Sequence, residues 1–274
     1  MYPKIIEDFV RMCSDGYKLG FNEANGGNAS YRMAPEEVKK CGEYLNLRDD
    51  ADWIPLNTEI TGMSDEYFIV TRSGSLMRNV ELDVEGSLGI VQLNDLGDAY
   101  RIVWGLEGGK PTSEFTAHLL DHSVRKTVSG GHDRVMYHSH PPALVALTYI
   151  LPLDDAVLSK ALWRSMTECV MVIPDGVGVV PWLCPGSIEL ARATCEKMSC
   201  RQAVIWAHHG LFVTGSSFDD AFGRAHTIEK SAGIYNRVLQ SGQPILQTIT
   251  DDDLRLICTS LGLNINEELL TDVD

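Results

Sequence analysis

The segment Asp133-Arg134-Val135-Met136-Tyr137-His138-Ser139-His140 runs directly into Pro141-Pro142. It predicts a strand through His138, followed by a helix that begins at the two prolines. Residues two apart on a strand point to the same face, so His138 and His140 can reach one ligand together. A shared metal ion is one interpretation of this H-x-H pair, and a pair of hydrogen-bonded core histidines is the other.

A second histidine pair follows about seventy residues later, in His208-His209-Gly210. Predicted strands at Ala203–Trp206 and Leu211–Val213 flank it. A third imidazole here, with no cysteine partner, would suit a catalytic zinc that keeps an open coordination position. One of two neighbouring residues in an extended segment faces away, and the alternation rule does not choose between His208 and His209.

Helices and strands alternate along the rest of the chain. Residues 34–62 show no period, and the apolar run Cys169–Trp182, broken at Pro174-Asp175-Gly176, predicts two strands across a turn. This alternation predicts a layered fold of the α/β or α+β class, in a single domain over residues 1–274. Further strands are predicted at 31–33, 67–71 and 100–106, and helices at 1–18, 113–127, 142–149, 187–199, 218–239 and 251–260.

The composition excludes several classes of function. Thirty-eight acidic and 23 basic residues give a net charge of −15, which disfavours binding to nucleic acid or to anionic membranes. The seven cysteines are an odd number with no CxxC pair, as expected for reduced thiols in the cytoplasm. Acids interrupt the first apolar run, so no signal peptide is expected, and no stretch of eighteen apolar residues follows.

Two acidic residues are candidates for acid–base chemistry. Glu114 lies in the predicted first turn of the helix that follows Pro111, for which Thr112 or Ser113 is the predicted N-cap. Glu168 directly precedes the apolar run at Cys169. A carboxylate close to a bound metal can act as a general base, whereas an acid in the first turn can also simply complement the helix dipole.

Three turns could bind a small anion without any basic patch. Asn25-Gly26-Gly27-Asn28 offers backbone N–H groups and two amides, and Thr71-Arg72-Ser73-Gly74-Ser75 offers hydroxyls and one guanidinium. Thr112-Ser113 offers hydroxyls and free N–H groups at a helix start. None of the three matches a P-loop or a dinucleotide fingerprint, and together they predict a site for one phosphate held by neutral donors.

The order of these motifs resembles the class II sugar-phosphate aldolases. N-G-G-N at 25–28, T-x-S-G at 71–74, T-S-E at 112–114, H-S-H at 138–140 and H-H-G at 208–210 occur in the same order as in that family. The similarity extends from about residue 8 to 262. One branch of the family looks most similar, on the segments Arg78–Val80, Thr167–Cys169, Pro174–Gly178 and Pro181-Trp182.

This resemblance implies a fold, an assembly and a metal. The fold is a three-layer αβα arrangement around a mixed, mostly antiparallel sheet, assembled as a homotetramer with four-fold symmetry. Each subunit would hold one Zn²⁺ on His138, His140 and His209, so the resemblance selects His209 over His208. The reaction cleaves a ketose 1-phosphate to dihydroxyacetone phosphate and an aldehyde.

The resemblance also assigns roles to individual residues. Glu114 would be the catalytic acid/base, and Glu168 a second glutamate at the aldehyde end that could reach a neighbouring subunit. The chain departs from the usual phosphate turn at Arg72 and Ser75. The implied phosphate ligands come from the three turns, namely Asn25, Gly26, Asn28, Ser73, Gly74, Ser75, Thr112 and Ser113.

Three alternatives stand beside this interpretation. Other branches of the family act on fuculose or ribulose phosphates or catalyse epimerisation or dehydration. The long insert at 34–62 favours the branch to which the four segments above are most similar. A metal-free scaffolding protein of the adducin type would not require the three histidines and Glu114. A cupin-type dioxygenase also uses H-x-H and a later histidine, but cupins are all-β, and this sequence has repeated helical segments.

Overall fold

A computed structural model describes residues 2–270, and every strand in that range joins one nine-stranded sheet. The order across the sheet is β2-β5-β4-β3-β1-β6-β9-β8-β7. All neighbours are antiparallel except β7 and β8, which confirms the predicted mixed, mostly antiparallel sheet. The strands are β1 (Asn28–Arg32), β2 (Ile54–Pro55), β3 (Tyr67–Thr71), β4 (Leu88–Leu93), β5 (Ala99–Gly105), β6 (Val135–Ser139), β7 (Gly178–Val180), β8 (Ala203–Trp206) and β9 (Gly210–Gly215).

Helices cover both faces of this sheet. Short 3₁₀ turns at Met77–Asn79 and Glu267–Leu269 complete the regular structure of the described residues. No helix in residues 2–270 is long and apolar enough to cross a membrane. The helices are α1 (Lys4–Lys18), α2 (Pro35–Tyr44), α3 (Val84–Ser87), α4 (Phe115–Val128), α5 (Pro142–Ile150), α6 (Asp155–Ser165), α7 (Thr167–Val172), α8 (Ile188–Met198), α9 (Phe218–Gln240) and α10 (Asp251–Leu261).

The alternation of side chains along β6 divides the core into two layers. Val135 and Tyr137 pack with Ile228 of α9 in the larger cluster, which also takes in residues of α1, α5, α6, α7 and α10. Met136, between them, packs on the opposite face with Leu190 of α8. Since successive residues of a strand point to opposite faces, the sheet lies between two helical layers, as the α/β prediction requires.

Strand direction brings four chain segments to one edge of the sheet. β1 begins at Asn28, β3 ends at Thr71, β6 ends at Ser139 and β9 begins at Gly210. These strands are adjacent and antiparallel, with Asn28 opposite His138 in the register. The start of one strand therefore lies beside the end of its neighbour, and the loops that carry the predicted site residues meet at this edge.

Two segments of the sequence prediction are wrong, and strand β4 and helix α6 are absent from it. Residues 34–62 contain helix α2 and strand β2, although the sequence shows no period there. Cys41 is the one buried residue of α2, so the helix lacks the apolar stripe that reveals amphipathic helices. Residues 169–182 form the end of α7 and a three-residue strand, β7, in place of two strands, because a short buried apolar run has no period of its own.

Candidate metal centre and acid–base site

Three histidine side chains form a compact group at this edge of the sheet. His138 is the penultimate residue of β6, His140 follows β6, and His209 precedes β9. One ligating atom from each lies within 4.8 Å of the others. The ring centroids are 4.9–5.0 Å apart in all three pairs. The structure thus brings together the three predicted imidazoles, at a spacing that one metal ion can bridge.

Hydrogen bonds fix the far side of two of these rings. His138 Nδ1 donates to the Leu211 carbonyl oxygen at 3.0 Å, and His140 Nδ1 lies 2.7 Å from Glu23 Oε1. A carbonyl or carboxylate partner on one ring nitrogen fixes the tautomer and leaves the lone pair on the other. The Nε2 atoms of both rings therefore face the centre of the group as acceptors.

This arrangement fits a bound cation. His138 Nε2 and His140 Nε2 are only 3.2 Å apart, and two lone pairs at that distance repel each other unless a positive charge lies close to both. His209 Nδ1 is buried without a hydrogen-bond partner in the described chain. A set of three imidazoles is also the donor set that zinc takes in sites that keep a coordination position open.

Burial keeps His138 and His209 neutral, which is the form of imidazole that binds a metal. Desolvation lowers the pKa of His138 well below its usual value, and the neighbouring His140 and His209 lower it further. The pKa of His209 is lowered as well, mainly by burial. Because the neutral imidazole is the ligating form, both residues are ready to bind a metal at neutral pH.

His208 is directed away from this group. It has a positive φ of 61°, which is uncommon for a residue with a side chain. Its Nδ1 is 3.2 Å from Thr148 Oγ1, and its ring packs against Tyr149 with 4.2 Å between centroids and a tilt of 46° between the ring planes. The structure therefore decides between the two neighbouring histidines on geometry, and it places His209 in the group.

Glu114 lies beside the histidines and is 6% exposed. Its Oε2 accepts a hydrogen bond from Asn28 Nδ2 at 2.7 Å and is 3.9 Å from His138 Nε2. The predicted N-cap is wrong by one or two residues, because Glu114 itself is the N-cap and its side chain makes no capping bond. Its carboxylate is turned into the site instead, which removes the interpretation that it only complements the helix dipole.

Sequence reasoning missed a set of polar residues behind Glu114. His118 and His122 of α4 and Ser30 of β1 are fully buried and connect to Asn28 through hydrogen bonds. The i, i+4 spacing of the two histidines places them on one helix face, and that face turns inward. The sequence signal that could have revealed them was a pair of histidines on the helix that begins with Glu114.

The three turns with predicted anion donors converge near Glu114. Arg72 forms a bridge with Pro111, and Thr112 N–H donates to the Thr71 carbonyl oxygen at 2.9 Å. Thr71 Oγ1 lies 3.2 Å from the N–H of Ala29, the residue after the first turn. These contacts join the turns that contain the predicted donors Asn25, Gly26, Asn28, Ser73, Gly74, Ser75, Thr112 and Ser113.

Individual donors in these turns differ in availability. The side-chain amide of Asn28 is engaged with Glu114 and His118, and the Ser75 hydroxyl donates to the Arg72 carbonyl oxygen at 2.8 Å. Gly26 packs so closely on His140 that an added Cβ would lie 2.8 Å from its ring, which explains why a glycine is needed there. Asn25, Gly74 and Ser113 are exposed.

Within one subunit, Glu168 lies apart from the three histidines. It is an exposed residue of α7, a helix that contacts α6, α9 and α10. It lines a cleft of about 720 Å³ together with residues 164–167 and parts of 247–257, and none of the three histidines lines that cleft. The described residues provide no hydrogen bond or ion pair between Glu168 and the histidine group.

Comparison with known proteins gives a consistent result. Residues 7–236 match the family described as Class II Aldolase and Adducin N-terminal domain. The chain is 42% identical over 261 residues to a rhamnulose-1-phosphate aldolase of Mannheimia succiniciproducens, covering 94% of each chain. It is 41% identical to that of Pectobacterium carotovorum, covering 97% of this chain and 96% of the relative.

A solved structure supports the fold. The crystal structure of a sugar-phosphate aldolase from Thermotoga maritima matches with a TM-score of 0.76 at 29% identity. The match covers 88% of this chain and 97% of that one. The layered fold with helices on both faces of a mixed sheet is therefore shared over nearly the whole of the described chain.

Proposed function

Because the chain belongs to the class II aldolase and adducin N-terminal domain family, we propose that it is a lyase that cleaves L-rhamnulose 1-phosphate to dihydroxyacetone phosphate and L-lactaldehyde in rhamnose catabolism. Curated relatives at about 40% identity over almost the full chain are rhamnulose-1-phosphate aldolases, which supports this substrate. The segment Thr167–Gly178 of the sequence favours the same branch.

The observation that carries the proposal is Glu114 directly beside three clustered histidines. A scaffolding domain on this fold would gain nothing from a carboxylate whose Oε2 is 3.9 Å from His138 Nε2, buried and held by Asn28. Buried charged groups of this kind are costly to fold and are typical of catalytic sites. The helices on both faces of the sheet exclude the cupin alternative.

His138, His140 and His209 would hold one Zn²⁺ per subunit. When bound, the metal would supply Lewis-acid stabilisation of the negative charge that develops on the substrate oxygens, worth several kcal/mol. The donor set of three neutral imidazoles supports zinc over harder cations, which prefer oxygen ligands. Glu23 and the Leu211 carbonyl oxygen keep two of these imidazoles in the orientation that ligation needs.

Glu114 would transfer the proton to and from C3 of the dihydroxyacetone phosphate fragment. Cleavage breaks the C3–C4 bond and leaves the electron pair on the dihydroxyacetone phosphate fragment as an enediolate. The C4 hydroxyl proton would pass to a base at the aldehyde end, the position proposed for Glu168, as the aldehyde forms. Protonation of the enediolate at C3 then gives dihydroxyacetone phosphate. In the synthetic direction Glu114 would take that proton away, and its position next to the histidine group supports this role.

The phosphate group would be bound by the three turns. The proposed donors are groups of Asn25, Gly26, Asn28, Ser73, Gly74, Ser75, Thr112 and Ser113. The backbone N–H groups of four of them already donate to carbonyl oxygens of the chain, namely Gly26, Ser73, Ser75 and Thr112. The net charge of −15 does not oppose this, because local donors act over hydrogen-bond distances and distant surface charges are screened by salt. A neutral nest of this kind suits one phosphate and excludes polyanions.

Glu168 would act at the aldehyde end of a neighbouring subunit. Its exposure on α7 and its separation from the histidines of its own chain support a role across an interface. Exposed apolar residues such as Tyr149 (69% exposed) and Ile150 (56%) support an oligomer, proposed as a homotetramer. All seven cysteines are free, in agreement with a reducing cytoplasm.

The nearest alternative is another phosphorylated sugar within the family. The discriminating experiment measures dihydroxyacetone phosphate release from rhamnulose 1-phosphate and fuculose 1-phosphate, and epimerisation of ribulose 5-phosphate, with the same enzyme preparation. We expect the highest kcat/KM with rhamnulose 1-phosphate. A higher value with either other sugar would reassign the substrate and leave the fold and the metal site intact.

A further inference from the structure

A line of buried hydrogen bonds leads from the interior of α4 to Glu114. His122 Nε2 is 2.9 Å from Ser30 Oγ, which is 2.7 Å from His118 Nδ1. His118 Nε2 is 2.5 Å from Asn28 Oδ1, and Asn28 Nδ2 is 2.7 Å from Glu114 Oε2. Ser30, His118 and His122 are wholly inaccessible to solvent.

The Glu114 carboxylate, at one end of the line, fixes which atom donates in every hydrogen bond. A carboxylate only accepts, so the Asn28 NH₂ group must face Glu114 and the amide oxygen must face His118. That oxygen also only accepts, so His118 carries its proton on Nε2 and a lone pair on Nδ1. Ser30 must then donate to Nδ1, and its remaining lone pairs accept from His122 Nε2–H.

Burial supports this set of protonation states. Desolvation lowers the pKa of His118 to about 3, and it lowers the pKa of His122 well below the usual value. Both rings are therefore neutral at physiological pH, with one N–H each. His122 Nδ1 has no hydrogen-bond partner in the described chain, as expected for a nitrogen that carries a lone pair at the closed end of the line.

We propose that His118 is a positioning residue of the active site, whose Nε2–H tautomer locks the Asn28 amide so that its NH₂ group holds Glu114 Oε2. The other histidine tautomer would turn an acceptor toward Asn28 Oδ1 and favour the flipped amide. The flipped amide would direct its oxygen at the carboxylate. The catalytic consequence rests on the proposed aldolase function, whereas the tautomer does not.

This orientation of the Asn28 amide makes the two carboxylate oxygens of Glu114 unequal. Oε2 is occupied by Asn28, and within the described chain no hydrogen bond is made to Oε1. Oε1 therefore keeps both of its lone pairs free to take and return the substrate proton. The line does not conduct protons itself, because the amide nitrogen of Asn28 cannot readily lose one, and its function is orientation alone.

Two substitutions at His118 separate this role from packing. In His118→Gln the terminal amide reaches the position of Nε2 and can still donate to Asn28. In His118→Asn the shorter amide reaches only the position of Nδ1, so the donor to Asn28 is lost. His132→Asn is a matched control, because His132 is exposed and outside the line.

We expect His118→Asn to lower kcat on the order of 10²-fold with little change in KM and in bound metal, the loss typical of a misplaced catalytic group. His118→Gln should recover most of that loss, and His132→Asn should match the wild type. Equal kcat for the Gln and Asn variants, whether both normal or both low, would overturn the positioning role.

The tautomer can be measured without any substrate. Long-range ¹H–¹⁵N correlation spectra of the histidine rings in the wild-type protein should show His118 protonated at Nε2 and unprotonated at Nδ1. A proton on Nδ1 would overturn the inference even if the enzyme cleaves its sugar phosphate. If His118 carries its proton on Nε2 but the protein cleaves none of the sugars, the positioning of Asn28 by His118 stands and only the proposed function is contradicted.

Discussion

At the scale of single residues, the histidine group shows what spacing can and cannot predict. The H-x-H spacing places His138 and His140 on one face of a strand, since alternation in a strand is regular. His208 and His209 lie in a tight turn between β8 and β9, where alternation fails. The positive φ of His208 turns its side chain toward Thr148, and only backbone geometry reveals this.

Replacing His208 and His209 separately by alanine tests which of them binds the metal. His209→Ala should lose metal, with an affinity loss larger than the about 10–100-fold typical of removing an outer hydrogen-bond partner. His208→Ala is the matched control and should keep a full complement, because its ring contacts Thr148 and Tyr149. Elemental analysis that finds full metal in His209→Ala would contradict the assignment.

At the scale of secondary-structure elements, the elements that the sequence did not predict have two opposite physical causes. β4 is buried along its whole length and α6 is buried on most of its surface, so neither shows a clean alternation of apolar and polar residues. α2 fails in the opposite way, with one buried residue in ten. Elements with one buried and one exposed face, such as α8 and α9, were predicted almost to the residue.

The burial of His118 in the folded protein predicts a loss of stability in acid. The pKa of His118 is about 3 in the folded protein and near 6.5 when unfolded, so the unfolded chain binds more protons between these values. Stability is therefore complete above about pH 6.5 and falls as pH decreases toward 3. From pH 7.5 to 5 the loss from His118 is about 2 kcal/mol, and buried His122 adds to it.

Urea unfolding at pH 7.5 and pH 5 measures this effect. The free energy of unfolding should fall less between the two pH values in His118→Gln than in the wild type, because the variant has no group to titrate. His132→Asn should retain the wild-type dependence. An unchanged dependence in His118→Gln would mean that His118 is not the buried titrating group.

At the scale of the whole molecule, the resemblance supplied what periodicity could not. Spacing predicted which residues could meet, and the direction of adjacent strands explains why they do, since four loops meet at one edge of the sheet. The position of Glu168 outside that edge has no counterpart in the sequence pattern. Its proposed partner lies on another copy of the chain, which no local rule describes.

Mixing inactive variants tests whether the active site is shared between subunits. Glu114→Gln and Glu168→Gln should each be poorly active alone. When the two chains are co-expressed, activity should return to about a quarter of the wild-type sites, because a random symmetric oligomer pairs an intact Glu114 with a neighbour's intact Glu168 at that frequency. No recovery in an assembled mixture would place Glu168 outside the neighbouring site.

The most direct test of the central claim is the turnover of Glu114→Gln at a measured metal content. Asn28 Nδ2 can still donate to the amide oxygen, so the variant should fold and bind metal as the wild type does. Because the proton acceptor is lost, kcat for rhamnulose 1-phosphate should fall by about 10²–10⁴-fold. A near-normal kcat in Glu114→Gln with full metal would contradict the assignment of Glu114 as the acid–base group of this aldolase.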